Sequence, residues 1–184
     1  SPSPFLTPKE IPARPSLMLE LGDPFLDTGK LYEGFYVPVI GAVWQPRLWV
    51  YSTTRTALQS FDNGNGHVLE WNNRIDVYAN LQLTGTEKIN WGIRPLDKNR
   101  PGQFTGYNFT DGRDDDWFTN FNSITRTLFF EGDLASLIPN LDRKGDGWWD
   151  FGFTVGRQVF NFQEGIMIND NLDAVGIVRN NLHP

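Results

Sequence analysis

Cysteine is absent from the 184 residues. That excludes thiolate catalysis, cysteine-ligated zinc and disulfide stapling. No apolar run approaches the roughly 18 residues that a membrane-crossing helix needs, although strands can cross without one. Positive charge is in the minority: 16 Lys and Arg against 22 Asp and Glu leave a formal net charge of −6. A chain of that balance is not expected to bind nucleic acid. No phosphate-cradling glycine loop and no G-x-S-x-G serine setting occurs, so nucleotide chemistry and serine hydrolysis have no anchor. His67 and His183 are too far apart in sequence to suggest a site. Hydrophobic residues make up only 39%, yet 14% of the chain is Phe, Tyr or Trp. Rings in that excess suit a surface between an apolar phase and water.

Residues 1–46 hold Pro2, Pro4, Pro8, Pro12, Pro15, Pro24, Pro38 and Pro46. Proline removes ladder donors and breaks helices, so this stretch reads as an extended arm with little regular structure. Its apolar run Phe35-Tyr36-Val37-Pro38-Val39-Ile40 is expected to dock, since an exposed run of that kind is a liability. The start Ser1-Pro2-Ser3-Pro4 reads as a mature or trimmed one.

From Arg47 the period becomes two. Between Trp71 and Arg94 the odd positions are Trp71, Asn73, Ile75, Val77, Ala79, Leu81, Leu83, then Ile89, Trp91 and Ile93. The even positions are Asn72, Arg74, Asp76, Tyr78, Asn80, Gln82, then Lys88, Asn90, Gly92 and Arg94. One greasy face and one wet face means strands. Thr84-Gly85-Thr86 is the expected turn. A three-residue loop pairs Leu81 with Ile89, Ala79 with Trp91 and Val77 with Ile93, whereas a two-residue loop sets apolar against polar. The same register puts Asp76 opposite Arg94 and gives Arg74 no partner directly opposite on that strand. Four further strands are expected at Arg47–Phe61, Trp117–Phe130, Trp148–Gln158 and Leu172–Arg179, about six in all. Gly132–Pro139 reads as one short helical turn.

A soluble sandwich also has one dry face. Strands of about 11–15 residues favour a membrane barrel, because soluble strands average about 5–6. Eleven residues tilted by about 45° span about 26 Å, close to the apolar band of an outer-membrane barrel. Trp71, Trp91, Trp117, Phe118, Phe129, Phe130, Trp148 and Trp149 fall near expected strand ends, where aromatic girdles sit. About six strands are too few for a bacterial barrel, and Asn181-Leu182-His183-Pro184 is unsuited to a closing strand. The chain is therefore expected to be the N-terminal part of a larger barrel.

The segment Gly156-Arg157-Gln158, followed by Gly165, Asn169-Asp170 and Asp173-Ala174-Val175, resembles the corresponding segment of alginate-export and related porin-like barrels. Arg94-Pro95-Leu96-Asp97, Phe104-Thr105-Gly106-Tyr107 and Leu137-Ile138-Pro139-Asn140-Leu141-Asp142 also look like pieces of such proteins. The resemblance runs patchily over residues 42–181. It implies a barrel that lets solutes cross and does not name the solute.

Other constellations favour plain structural roles. Asp142-Arg143-Lys144-Gly145-Asp146-Gly147 fails as an EF-hand loop, because Lys144 and Phe153 stand where ligand oxygens are needed. Asp114-Asp115-Asp116 reads as a solvated loop cap. Paired carboxylates for glycoside hydrolysis are the one enzyme reading with any footing, and their separation is not legible. Arg outnumbers Lys, and Arg can set a transverse field against facing acids in a pore.

The fold expected is thus all-β: an antiparallel up-and-down transmembrane barrel, with residues 1–46 as arm and 47–184 as strands. The function expected is a porin-like channel for small hydrophilic solutes in a bacterial outer membrane, with no enzymatic chemistry, no cofactor and no metal. Its expected partners are outer-membrane lipid, the solutes, and either a second copy or the remaining part of the barrel. The expected pore lining is Arg55, Arg74, Asp76, Asn80, Gln82, Lys88, Asn90, Arg94, Arg126, Asp150 and Arg157. The expected lipid face is Val77, Leu81, Ile89, Trp91, Ile93, Trp149, Phe151 and Phe153. A soluble carbohydrate-binding sandwich and a structural or assembly barrel of the envelope are the alternatives.

Overall fold

The computed structural model describes residues 14, 16–26, 33–62, 64, 66–97, 105–109, 117–119, 121–143, 147–164 and 166–180. Asp114–Asp116, Gly165, His183, Phe104 and the middle of the 142–147 turn lie outside them.

The chain is antiparallel β with almost no helix. Its strands are β1 (Leu19–Leu21), β2 (Phe35–Val37), β3 (Ala42–Trp44), β4 (Arg47–Asp62), β5 (His67–Gln82), β6 (Lys88–Ile93), β7 (Thr105–Asn108), β8 (Trp117–Phe118), β9 (Thr125–Asp133), β10 (Phe151–Phe162) and β11 (Ile168–Arg179). One nine-stranded sheet runs β1-β4-β5-β6-β9-β10-β11, with β7 beside the upper half of β5 and β8 beside β7. The six expected strands correspond to β4, β5, β6, β9, β10 and β11, which follow one another up and down in chain order. No described strand pairs with the outer edge of β11, and the sheet is not closed.

The central hairpin has the register that parity required. Val77 faces Ile93, Ala79 faces Trp91 and Leu81 faces Ile89. The three-residue turn is closed by Leu83 N–H donating to the Glu87 carbonyl at 2.9 Å. A shift between Gly92 and Ile93 marks a bulge where β6 meets β9. β4 and β5 are 16 residues each, and β10 and β11 are 12 each, well beyond the usual strand.

Several boundaries differ from expectation. The segment Trp117–Phe130 is broken into β8 and β9. Asn122 breaks it: its backbone N–H donates to the Pro95 carbonyl at 2.9 Å, and its side chain accepts from Ile124 N–H at 2.7 Å. Trp148 and Trp149 fall in the turn before β10, where Gly147 takes φ 73°. The connection expected over Val159–Asn171 shrinks to 163–167, because β10 continues to Phe162 and β11 begins at Ile168. Leu134–Leu137 forms one helical turn, α1, capped by the Asp133 side chain, and Pro139–Leu141 a 3-10 turn.

The arm carries more structure than its prolines suggested. β1 pairs with the start of β4, Leu19 facing Val50 and Leu21 facing Leu48. β2 and β3 form a hairpin whose turn needs Gly41 at φ 79°. Asn140 Nδ2 donates to the Val39 carbonyl at 3.1 Å and pins that turn. The docking expected of the run is therefore made by backbone, while the Val39 side chain stays 85% exposed.

The layering is inverted relative to a water-soluble domain. Among the described residues, Ala42 and Val68 are the only buried hydrophobic side chains, whereas Arg47, Asp76, Glu87, Asp97, Asn108, Asn122 and Thr127 are all buried. One face carries a row across six strands, Leu48–Leu81–Ile89–Phe130–Val155–Val175, each residue directly opposite the next. No second sheet covers that row among the described residues, since β2–β3 is the only other sheet. This removes the second layer that a sandwich requires.

Candidate functional site

The opposite face holds a ladder of alternating charge. Asp76 lies mid-strand on β5 and is 4% exposed. Arg74 Nε donates to its Oδ2 at 2.8 Å and Arg74 Nη2 to its Oδ1 at 3.1 Å, while Arg94 Nε donates to the same Oδ1 at 2.8 Å. Arg94 then reaches Asp97 with Nη1 at 3.2 Å, and Arg126 donates to the same Asp97 oxygen at 2.9 Å. The order is Arg74–Asp76–Arg94–Asp97–Arg126, three cations interleaved with two nearly buried carboxylates. Antiparallel alternation puts Arg74 and Asp76 on one face of β5. The turn Arg94-Pro95-Leu96-Asp97 brings the second acid back to the ladder, and Arg126, the extra residue of the bulge on β9, meets it there.

As expected, no residue of β6 stands directly opposite Arg74, since that pairing ends at Val77 and Ile93. On β4, directly opposite Arg74, stands Arg55, a like charge, and Arg74 turns along its own strand to share Asp76 with Arg94. Arg55 is exposed and makes no ion pair with a described residue.

Toward the Thr84–Thr86 turn the same face becomes amide-rich. Asn80 Nδ2 donates to Asn90 Oδ1 at 2.5 Å across the hairpin. Gln82 faces Lys88, whose ammonium pairs with Glu131 at 2.6 Å. Trp49 lies opposite Asn80, and Tyr51 stacks on Tyr78 at 5.5 Å. Asp150 stands at the end of the wall just before β10, accepting from Asn180 Nδ2 at 2.8 Å, and does not belong to the ladder.

Arg157 is a correction. It faces Leu128 on β9 and Asp173 on β11. Continuous alternation from Phe153 and Val155 puts it on the apolar face, away from Asp76. There it forms a two-pronged pair with Asp173, at 2.9 and 2.8 Å. The two blocks that carried the family resemblance are thus cross-strand partners: Gly156 faces Ala174, Arg157 faces Asp173 and Gln158 faces Leu172.

Val77, Leu81, Ile89, Trp91, Ile93 and Phe153 share the apolar face, and Phe151 ends it with Arg179 5.7 Å from its ring. Trp149 lies in the turn preceding β10, off the wall. Trp91 sits in mid-sheet opposite Ala79, its indole N–H donating to Thr125 Oγ1 at 3.1 Å. Phe129 faces Asn90 on the wet side, so the girdle expected there loses one ring.

Aromatic clusters mark both ends of the apolar face. At one end Trp71, Trp117, Tyr107 and Phe109 form an edge-to-face chain with centroids 4.7–6.1 Å apart. At the other, Trp148 is 66% exposed with the Arg179 guanidinium 5.9 Å from its ring. Between Trp71 and Leu81 the strand runs ten residues, about 34 Å at about 3.4 Å each.

Sequence reasoning missed Asp97, Glu131, Trp49 and Tyr51. The quoted Arg94-Pro95-Leu96-Asp97 contained the signal for the first, an acid three residues after an in-facing Arg across a proline turn. No family model, curated protein or solved structure matches this chain.

Proposed function

We propose that this chain forms the wall of an outer-membrane barrel in a Gram-negative envelope and passes small hydrophilic solutes by diffusion along its charged face, without chemistry or cofactor. One observation carries the reading: among the described residues the buried side chains are mostly polar or charged, while a six-strand apolar row has no second sheet over it. A bilayer accounts for the apolar face and water for the charged one. The long strands and the two aromatic ends support the same reading. Closure needs strands on the free edges of β4 and β11, supplied by a second copy or by further chain. The Arg–Asp ladder would set a transverse field along the path. The Arg157–Asp173 pair stands on the lipid side, where tilt shifts depth from strand to strand, and mutual pairing lowers its cost.

The test is conductance of the purified protein in a planar bilayer, with reversal potential under a salt gradient. Steps of conductance with an ion preference that moves in Asp97→Asn would support the channel. A detergent-inserted protein that never conducts would assign a structural or assembly role. A protein monodisperse without detergent would defeat the membrane reading altogether. Orientation is read by labelling intact cells. The 84–86 turn should be shielded as a periplasmic turn, and position 106 should label from outside.

A further inference from the structure

The arm does more than cover an edge. Residues 16–18 and Phe25 stand over the polar face near the start of β4 and enclose a cavity of about 470 Å³ with Trp49, Tyr51, Asn80 and Gln82. That volume falls among those of small-molecule pockets, roughly 300–1,000 Å³. Its walls are built rather than incidental. Trp49 packs edge-on against Phe25 at 5.2 Å, and its indole N–H donates to the Asp23 carbonyl at 3.0 Å. Tyr51 has one ring face on Tyr78 and remains 41% exposed. Asn80 is oriented by Asn90, whereas the Gln82 amide makes no hydrogen bond with a described residue.

The lining chemistry is selective. It combines aromatic rings with carboxamides, and no charged side chain lines it among the described residues. A carboxamide offers both donors and an acceptor, which matches a hydroxyl, itself donor and acceptor. A ring face accepts the C–H side of a saturated ring. A carboxylate or ammonium group entering here would lose water without gaining a counter-charge.

We propose that this cavity binds an uncharged, polyhydroxylated ring: a neutral mono- or disaccharide lying against Tyr51 and Trp49, with hydroxyls on Asn80 and Gln82. The assignment does not depend on closure of the sheet or on conduction, because arm and wall form the cavity by themselves.

The test is calorimetric titration of the full chain, in detergent, with glucose, maltose and glucuronate. Saturable binding of glucose or maltose is expected, with glucuronate at least about tenfold weaker. Tyr51→Ala should weaken binding about tenfold and Gln82→Ala several-fold, while Gln59→Ala, far along β4, should leave it unchanged. Should Tyr51→Ala fail to fold, Gln82→Ala carries the test. No saturable heat with either neutral sugar overturns the proposal, as does binding indifferent to both substitutions or tighter for glucuronate. Bilayer conductance is scored separately. A conducting protein that ignores sugars sinks this site alone, and a sugar-binding protein that never conducts sinks the channel alone.

Discussion

Asp76→Ala removes the acid that holds the ladder together. Asp76 accepts two bonds from Arg74, at 2.8 and 3.1 Å, and one from Arg94 at 2.8 Å, and is 4% exposed. Its loss leaves two guanidinium groups facing one gap, with Arg55 opposite Arg74 adding a third cation. Breaking a buried pair by deleting one partner costs about 3–5 kcal/mol. The Arg74 and Arg94 side chains are 28% and 24% exposed, so water offsets part of the loss and the expected value is the low end, about 3 kcal/mol. Asp76→Asn keeps an acceptor and should cost about 1.5–3 kcal/mol. Arg74→Ala should cost less than either, because Asp76 retains Arg94. The assay is urea unfolding of detergent-refolded protein by tryptophan fluorescence, with unchanged m-values required before midpoints are compared. In bilayers the two Asp76 variants should shift permeability toward anions, since each removes a negative charge beside three arginines, and Arg74→Ala should shift it toward cations. A loss below about 1 kcal/mol for Asp76→Ala would place the pair among solvated surface bridges and refute the buried-ladder reasoning.

Val77→Arg, on the apolar face nearer the middle of β5, should cost about 2–4 kcal/mol in a bilayer; an effect within about 0.5 kcal/mol would mean the face meets water. Gly156→Ala should be destabilising by at least about 1–3 kcal/mol, because φ is +126° and a Cβ there would meet the Leu128 carbonyl oxygen at 2.3 Å. Gly85→Ala, with nothing within 4 Å, should be neutral in the same unfolding assay. In the arm, outside the six wall strands, the hydrogen bond from Arg14 holds the Glu20 carboxyl below its usual 4.5. A depressed folded pKa means the contact is at full strength above that value and is lost as pH falls through the lower folded one. An acid titration followed by the Glu20 side-chain carbon signal should show a midpoint that rises toward the usual value in Arg14→Gln and in high salt.

The hairpin was legible because side-chain period two ties register to face, and only a three-residue turn kept apolar against apolar. Strand existence followed from the same alternation, and each of the six expected strands has a counterpart, although the ends of several shifted. What escaped had non-local causes. β1 finds its partner in Leu48–Val50, a pairing that no local period announces. Asp97 reaches the ladder only because the Arg94–Asp97 turn folds the chain back, its N–H donating to the Arg94 carbonyl at 3.3 Å. Arg157 was misjudged although parity had the answer. Its charge suggested the wet side, but it continues the series Phe151, Phe153, Val155, and Asp173 across the strand supplies the partner that residue type alone could not reveal.

Strand direction constrains how the sheet could close. β4 ascends from the Thr84–Thr86 end and β11 descends toward it, because the four strands between them alternate in direction. Strands inserted between β11 and β4 must therefore be even in number if every pairing stays antiparallel. β1 already occupies the outer edge of β4 at Leu48–Val50 and runs antiparallel to it. If β1 keeps that place as a wall strand, the gap from β11 to β1 takes an odd number, and the total is even again. Both routes lead to the even counts of bacterial barrels. A second copy set head to tail satisfies the same rule without any inserted strand, since β11 of one meets β4 of the other antiparallel. In that case β1 must leave Leu48–Val50, because a backbone group on that edge can pair with one neighbour only. The arm that walls the cavity and the strand that would close the sheet thus compete for the same three residues of β4, so closure between copies and an arm-covered cavity exclude each other at that edge.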